Sequence, residues 1–321
     1  MAMMNAAVVT SFQEPPHYMP FEAPVPSPGK VLADVLAAGL HPRVRSGAAG
    51  RHYASSGTLP MIPGIDGVGR LPDGRLVYFA ADDDVMGTMA DKALVDPGRS
   101  VELPAGADVA KVAAAMNPAM SSWVALRRRV PIEPGQSVLI LGATGNAGAM
   151  AVQVAKRLGA GRVVGAGRDQ QRLRGLSELG ADSVVQLTED SVQTGNALAA
   201  VAAEVDIVVD YLWGEPAQRA MIALLTARSD RSRALNWIQI GAVAGPTLEL
   251  PSVALRSTNL RLQGSGQGAV SPEGYLAELP SLVEELTAGG IAVNARPVAL
   301  EDVEAAWTEK DSPGVRTVLV P

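Results

Sequence analysis

A glycine-rich segment that follows an apolar run holds the residues whose spacing points most clearly to chemistry. The run SVLIL at 137–141 leads directly into GATGNAG at 142–148, and an amphipathic stretch follows. Glycine is needed where a chain turns tightly and where the backbone must approach a pyrophosphate, and a last glycine lets the next helix pack close to the strand. The start of that helix offers N–H groups and a partial positive charge to phosphates. The segment therefore favours a dinucleotide site over an ordinary tight turn. The candidate contacts are Gly142, Thr144, Gly145, Asn146, Ala147 and Gly148.

The residues after the next apolar run bear on the choice between NAD and NADP. RVVGA at 162–166 is followed by Gly167, whereas an NAD site usually ends this strand with an acid that binds the ribose hydroxyls. Arg168 and Arg172 suit a 2′-phosphate through forked, charge-assisted hydrogen bonds, or they are surface cations. Asp169 is either the displaced ribose acid or the N-cap of the next helix. We favour NADP(H) as the cofactor and the capping role for Asp169.

A second group of polar side chains has the chemistry to assist hydride transfer. Beyond positioning the nicotinamide, such a reaction needs a group that stabilises the oxyanion or enolate and a source of a proton. The segment GLHPRVRSGAAGRHYASSG at 39–57 supplies donors, and Asn117 is another. The catalytic candidates are His41, Tyr53 and Asn117, and the substrate-binding candidates are His41, His52, Tyr53 and Trp213, the last as an apolar wall.

Each of these residues also has a purely structural interpretation. A loop histidine such as His41 is often a satisfied polar residue, and Tyr53 could merely tie down its loop. Trp213 is equally compatible with core packing. His41 and His52 lack a clear third ligand, and the chain has no cysteine, so we predict no metal.

The elements that position the phosphate loop alternate between strand and helix. Apolar residues from Ala147 to Leu158 recur with a spacing that gives a helix one apolar face. Strands are predicted at 162–166, 183–187, 206–210 and 236–241, with helices at 170–179, 192–203 and 217–226. This alternation predicts βαβ units and a parallel sheet, hence an α/β fold with a Rossmann-type doubly wound sheet.

The first 120 residues and the tail have a different sequence pattern from the middle of the chain. Short apolar segments such as 31–38 and 90–97 are broken by proline and glycine, and Asp73-Gly74 predicts a hairpin. The tail from about Ile291 offers strands at 297–299 and 315–320 with a helix at 301–308, and it is expected to join this β-rich part.

Composition limits the classes of partner and compartment. The formal net charge of −6 and a pI near 5.2 make nucleic acid an unsuitable partner. The run Arg127–Arg129 is the local exception, and we interpret it as a solvated helix end. No apolar run is long enough to cross a bilayer and no signal peptide is visible, so we expect a cytoplasmic protein that acts on a small molecule without membrane contact.

The order of these motifs resembles a known family, the medium-chain dehydrogenase/reductases, and within it the zinc-free quinone oxidoreductase branch. The resemblance rests on PGQSVLILGATGNAGAMAVQVAKRLGA, AGRDQQRL, VDIVVD and NWIQIGAVAG, together with PGIDGVGRL at 63–71 and residues 103–126. It covers nearly the whole chain.

The resemblance implies a GroES-like catalytic domain at 1–120 and 291–321 around a Rossmann dinucleotide-binding domain at 121–290. It implies a cofactor held in the cleft between the domains, with His41 near the nicotinamide, and reduction of quinones or of carbon–carbon double bonds beside a carbonyl. Pairing of two copies through the strand near Leu260–Gly264 would make a homodimer. The resemblance adds further cofactor contacts at Ser121, Gly241, Ala242 and Gly264.

The sequence departs from that family at three places. Asn146-Ala147 stand where Gly-Val is usual, His41 stands where asparagine is common, and Pro63-Gly64-Ile65-Asp66 replaces the Gly-His-Glu motif of the zinc enzymes. Two functions therefore stay open: an NADPH-dependent quinone or enone reductase, and a non-catalytic NADPH-binding redox sensor or structural protein of the same fold. The donors at 39–57 favour the enzyme.

Overall fold

The computed structural model describes residues 2–311 and 314–321. They form two compact units, Met1–Asn117 with Leu279–Pro321, and Pro118–Glu278. The boundaries expected from the sequence were 120/121 and 290/291. The boundary expected at 290/291 lies instead at 278/279. The helix Leu279–Thr287 packs against the strand Ser100–Glu102 and so joins the first unit.

The strands are numbered in chain order. They are β1 Met3–Val8, β2 His17–Glu22, β3 Val31–Gly39, β4 Asp66–Arg70, β5 Leu76–Ala80, β6 Lys92–Val95, β7 Ser100–Glu102, β8 Ser137–Leu141, β9 Arg162–Gly167, β10 Ser183–Gln186, β11 Ile207–Asp210, β12 Leu235–Gln239, β13 Leu260–Gly264, β14 Asn294–Ala299 and β15 Val315–Val320.

The α-helices are numbered in the same way. They are α1 Pro42–Ala48, α2 Val109–Val124, α3 Asn146–Arg157, α4 Gln170–Gly175, α5 Ser191–Ala202, α6 Gly214–Ala227, α7 Ser252–Arg256, α8 Pro272–Leu276, α9 Leu279–Thr287 and α10 Val303–Thr308. Short 3-10 turns occur at Pro97–Arg99 and Leu300–Asp302, and a π-helical turn at Ala125–Arg129 follows α2.

The first unit is built on a largely antiparallel sheet in the order β14-β15-β3-β4-β5-β7, with β6 also paired to β3. The predicted hairpin at Asp73-Gly74 is confirmed as the turn between β4 and β5, where Gly74 has a φ of 89°. The tail joins this sheet as expected, because β15 pairs with β3 and β14 pairs with β15. One hydrophobic core is formed by side chains from alternate positions of the strands, such as Val35, Val77 and Phe79.

The second unit is a parallel sheet in the order β10-β9-β8-β11-β12-β13. This is the doubly wound order of a dinucleotide-binding fold, in which ligands bind beyond the carboxyl ends of the strands. The continuous apolar runs of β8 and β11 are buried on both faces, which explains why they lack an alternating pattern. The strand β13 lies at the edge of the sheet.

One local prediction was wrong, and a second was incomplete. The helix predicted at 170–179 ends at Gly175, and turns replace its last residues. The arginine run is not simply solvated: Arg127 and Arg128 both pair with the buried carboxylate of Glu278, and Arg129 donates to the carbonyls of Gly264 and Ala269. Glu278 is distant in the sequence, so the local pattern gave no sign of this pairing.

Candidate functional site

The loop between β8 and α3 has the geometry that its glycines predicted. Gly142 has a φ of 88°, a conformation that favours glycine, and its N–H donates to the carbonyl of Ala166 at 2.9 Å. A Cβ on Gly148 would lie 2.2 Å from the carbonyl oxygen of Gly142, so only glycine lets α3 pack this close to the strand. The first and last glycines are thus required by the fold itself.

The middle glycine has a different environment. Gly145 is the N-cap of α3 with ordinary backbone angles, and a Cβ there would approach only the Gly142 oxygen, at 3.3 Å. No side chain of the described residues caps α3 by a hydrogen bond. The first-turn N–H groups, including those of Ala147 and Gly148, therefore face a position where an anion is stabilised by the helix.

The end of β9 lies beside this loop. A Cβ on Gly167 would lie 2.5 Å from the side chain of Thr144, so the two residues are in direct contact. Arg172 donates to the side-chain oxygen of Asn146 at 2.8 Å, and burial lowers the pKa of its guanidinium without removing the charge at neutral pH. Arg168 is exposed. The predicted phosphate-binding residues are thus close together.

Asp169 caps α4 as we favoured. Its side chain accepts from the N–H of Arg172 at 3.0 Å. This role satisfies one of the unpaired N–H groups at the start of the helix.

A second group of predicted residues lies at the carboxyl ends of β11, β12 and β13. Trp213, Ala242 and Gly264 line one pocket of about 320 Å³, with Gln239, Pro246, Leu262 and Gln263. Gly241 directly precedes Ala242 and donates its N–H to the carbonyl of Asp210 at 3.1 Å. Pocket and phosphate loop are both on the side of the sheet where a doubly wound fold binds its ligand.

Trp213 is the one non-glycine residue of the described chain with a positive φ, with φ 52° and ψ −162°. The buried carboxylate of Asp210 holds this backbone by accepting from the N–H groups of Leu212 and Trp213 at 2.8 and 3.0 Å, and it also accepts from the indole of Trp237. Burial raises the pKa of Asp210, against the effect of these donors. Sequence reasoning missed Asp210, although an acid at the end of a buried strand was a usable signal.

Ser121 contacts a residue that the sequence analysis did not select. Its hydroxyl lies 2.9 Å from the hydroxyl of Tyr211 and donates to the carbonyl of Pro118 at 2.7 Å. Burial raises the pKa of Tyr211 to about 12, so it remains a neutral phenol. The pair ties α2 to the end of β11 within the second unit.

The first unit contains a buried polar cluster around His41. The imidazole Nε2 lies 3.2 Å from Oδ1 of Asp66, and the hydroxyl of Tyr78 donates to the other carboxylate oxygen at 2.7 Å. Thr88 donates to the backbone carbonyl of Asp66 at 2.7 Å. His41 is the N-cap of α1, but its side chain makes no capping bond and is turned to Asp66 instead. We call these four residues the His41 cluster.

The remaining polar candidates are not part of that cluster. Burial, aided by the charge of Arg43, lowers the pKa of His52 to about 4, so His52 is neutral at physiological pH and its Nδ1 accepts from the N–H of Ala54. Tyr53 stacks on His52 with a centroid separation of 4.2 Å and is 73% exposed, which is the opposite of a buried loop anchor. Asn117 is half-buried within α2.

The described residues give two further negative findings. No cluster of three or more His, Cys, Asp or Glu side chains among them is arranged to hold a metal ion. None of the helices that they form has the length and apolar character to span a membrane.

Comparison with known proteins shows what class of protein has this fold and site. The family model described as "Zinc-binding dehydrogenase" matches residues 147–283, a segment that contains neither histidine nor cysteine. A relative from Emericella nidulans, named "Probable NADPH-dependent quinone reductase", is 31% identical over 99% of this chain and 100% of its own length.

Solved structures show the same fold over the whole chain. A probable oxidoreductase from Mycobacterium abscessus is 25% identical with a TM-score of 0.79, and the match covers 100% of this chain and 99% of that one. The quinone oxidoreductase from Thermus thermophilus is 24% identical with a TM-score of 0.82, covering 99% and 100%.

The chain therefore belongs to the medium-chain dehydrogenase/reductase superfamily. Within it, the chain falls in the quinone oxidoreductase-like branch, with a GroES-like β-rich unit and a Rossmann-type unit.

Proposed function

We propose that the protein is a zinc-independent, NADPH-dependent oxidoreductase that reduces a quinone or an α,β-unsaturated carbonyl compound. The observation that carries the proposal is the phosphate loop, where Gly142 is required by its backbone conformation and Gly148 by packing, while Gly145 is required by neither. A glycine without a packing role is what close backbone approach to a pyrophosphate requires. The relative named as an NADPH-dependent quinone reductase supports the same activity.

The residues of the second unit fit a dinucleotide. Gly145, Asn146, Ala147 and the N-terminus of α3 would hold the pyrophosphate, since no side chain of the described residues caps that helix. NADPH supplies a hydride from its dihydronicotinamide ring when bound. Ser121, Gly241, Ala242 and Gly264 would contact the nicotinamide half.

Arg168 and Arg172 would select NADPH over NADH. Arg172 is held by Asn146 at the start of α3, next to Gly167, and Arg168 is exposed beside it. Asp169 is engaged as a helix cap, which favours that role over the role of the ribose acid in an NAD site. Two guanidinium groups and no free carboxylate favour a 2′-phosphate.

The substrate would be bound by His41, Tyr53 and Trp213, with His52 as a neutral hydrogen-bonding group. Asn117 is retained as a further candidate donor. We also propose that the protein acts in the cytoplasm as a homodimer paired through β13, which is the edge strand of its sheet.

Steady-state oxidation of NADPH with a panel of quinones and enones tests the enzymatic function. We expect turnover with at least one acceptor, and we expect it to persist after dialysis against a chelator. NADPH binding without turnover of any acceptor would instead support a non-catalytic redox sensor, and stoichiometric bound zinc would contradict zinc independence.

Arg168→Ala tests the cofactor preference. A charge-assisted contact contributes about 1.5–3 kcal/mol, so NADPH affinity should fall roughly tenfold to a hundredfold. NADH affinity should be unchanged, because NADH has no 2′-phosphate. Dissociation constants of both cofactors are measured for the wild type, for Arg168→Ala and for Arg174→Ala, an exposed arginine of α4 outside the predicted contacts. Equal weakening of both cofactors would mean that Arg168 is only a surface cation.

A further inference from the structure

A side chain of the phosphate loop is joined to an arginine of the next helix. Asn146 is the first residue of α3, and its side-chain oxygen accepts from Nη2 of Arg172 at 2.8 Å, across 26 residues of sequence. Both residues are half-buried and both belong to the second unit. Because the guanidinium is charged at neutral pH, this is a charge-assisted bond, which is stronger than a bond between neutral groups.

The chemical nature of the acceptor decides what Arg172 can still bind. A carboxylate at this position would neutralise the guanidinium, whereas the amide oxygen of Asn146 holds it and leaves its positive charge in place. A guanidinium has five N–H donors in a rigid fork, and the bond to Asn146 needs one of them, at Nη2. Arg172 can therefore be held by the loop and pair with an anion at the same time.

The position of Arg172 is fixed at both its backbone and its side chain. Asp169 caps α4 by accepting from the backbone N–H of Arg172 at 3.0 Å, and Asn146 holds the other end of the residue. Nearby, a Cβ added to Gly167 would lie 2.5 Å from the side chain of Thr144, so the phosphate loop contacts the end of β9. In a doubly wound fold, this strand end lies beside the ribose of the cofactor.

Arg168 does not have the same support. It is exposed, and Gln186 holds its backbone by donating to its carbonyl at 3.3 Å, which does not orient the guanidinium. An arginine side chain that is not held in place loses more conformational freedom when it binds a phosphate, and this weakens binding. The two arginines of this region therefore differ in how well they are prepared for a ligand.

We propose that Asn146 is a positioning residue for cofactor selection, which holds Arg172 in the orientation that binds the 2′-phosphate of NADPH. Arg172, rather than Arg168, is then the stronger determinant of the preference. The 2′-phosphate adds up to about two negative charges that NADH lacks, so only NADPH gains from an oriented guanidinium. The inference rests on the proposed function and adds to it the residue that prepares the arginine.

Asn146→Ala tests the positioning role by cofactor binding. The variant keeps Arg172 and its charge but releases the side chain, so NADPH should bind about twofold to tenfold more weakly. NADH affinity should be unchanged, because NADH has no 2′-phosphate. Calorimetric titration with both cofactors gives the dissociation constants, and thermal unfolding shows that the variant is folded.

A double variant separates positioning from any other role of Asn146. Arg172→Ala should weaken NADPH binding about tenfold to a hundredfold, and by a larger factor than Arg168→Ala. In the Arg172→Ala background, Asn146→Ala should have no further effect on NADPH, because no guanidinium is left to hold. An equal effect of Asn146→Ala in both backgrounds would show that Asn146 acts on the cofactor by another route, and the inference would be wrong.

Asn196→Ala is the matched control. Asn196 is an exposed asparagine of α5 in the same unit, outside the predicted cofactor contacts, and its variant should keep the affinities of the wild type. If the wild type prefers NADPH and Asn146→Ala keeps that preference in full or weakens both cofactors equally, the inference is wrong and the proposed function stands. If the wild type binds NADH as tightly as NADPH, the proposed cofactor preference fails, and the inference fails with it.

Two fragments of the cofactor test the same arrangement without its nicotinamide half. Adenosine 2′,5′-bisphosphate and adenosine 5′-monophosphate carry the same adenosine and differ by the 2′-phosphate. Asn146→Ala should weaken binding of the bisphosphate by the same factor as that of NADPH and leave binding of the monophosphate unchanged. A loss that occurs with NADPH but not with the bisphosphate would place the effect of Asn146 elsewhere on the cofactor and contradict the proposal.

Discussion

The phosphate loop of the second unit and the His41 cluster of the first unit are built in opposite ways. In the loop, the important property is the absence of side chains, since a Cβ on Gly148 would lie 2.2 Å from a backbone oxygen. In the cluster, the important property is the presence of side chains, because His41, Asp66 and Tyr78 are linked by hydrogen bonds across 25 and 12 residues of sequence. The loop exposes backbone groups, whereas the cluster consists of side chains held by other side chains.

This difference determines how each site should respond to substitution. A backbone site fails when any side chain is added, and the chemical nature of that side chain matters little. A side-chain cluster fails when a donor or acceptor is lost, even though the shape is kept, because a buried polar partner is left unsatisfied. Isosteric substitutions therefore distinguish the two regions.

Gly145→Val is expected to give the largest effect. Its side chain would occupy the path of the pyrophosphate, so NADPH affinity should fall at least about a hundredfold, or about 2.7 kcal/mol. The fold should survive, because Gly145 has ordinary backbone angles and a Cβ there meets only one oxygen, at 3.3 Å. Calorimetric titration with NADPH and thermal unfolding of the variant measure the two quantities.

Gly148→Ala is the contrasting variant within the same loop. Its Cβ would come within 2.7 Å of Ala143 Cα as well as close to the Gly142 oxygen, so stability should fall by about 1–3 kcal/mol. Unchanged NADPH affinity in Gly145→Val, or equal destabilisation in both variants, would contradict the separation of a binding glycine from a packing glycine.

The same contrast explains what the sequence could predict. The loop, β8 and α3 are contiguous, so their local pattern predicted the structure and is the basis of the proposed binding role. Asp169 could be assigned as a cap because capping acts over three residues. The helix at 170–179 was predicted too long, since its apolar pattern continues past Gly175 whereas its backbone does not.

Contacts between distant residues could not be predicted in the same way. Asp66 was noted only as part of the segment that replaces the motif of the zinc enzymes, and Tyr78 was not noted at all. Their pairing depends on the register of β4 and β5, which the sequence does not give. The pairing of Arg127 and Arg128 with Glu278 was missed for the same reason, since Glu278 lies about 150 residues away in the chain.

Trp213 depends both on its backbone conformation and on a side chain, Asp210, that holds it. Its variants should change stability by a smaller amount, with glycine and alanine in the reverse of their usual order. Alanine normally gives a more stable protein than glycine by about 0.4–1 kcal/mol, because glycine is more flexible when unfolded. At a φ of 52° with ψ −162°, the backbone strain of about 1–3 kcal/mol should reverse this order. We expect Trp213→Gly to be more stable than Trp213→Ala by about 1 kcal/mol in chemical denaturation. The ordinary order would mean that the Asp210 hydrogen bonds do not hold this conformation.

The smallest expected effect is the pH dependence of stability that His52 causes. His52 is not part of the His41 cluster. Burial lowers the pKa of His52 from its ordinary value of 6.5 to about 4, so the unfolded chain binds this proton more tightly than the folded one. The stability contributed by neutral His52 is complete above the unfolded pKa and is lost as the pH falls from about 6.5 towards about 4. His52→Gln removes the titrating group, so the free energy of unfolding should fall less for this variant than for the wild type between neutral and mildly acidic pH.

Urea denaturation at several pH values compares the two proteins, with His17→Gln as the control because His17 is an exposed histidine of the same unit. An equal loss of stability in wild type and His52→Gln would show that the imidazole is as accessible to protonation in the folded protein as in the unfolded chain, and His52 would then regain a place beside His41 as a candidate proton donor.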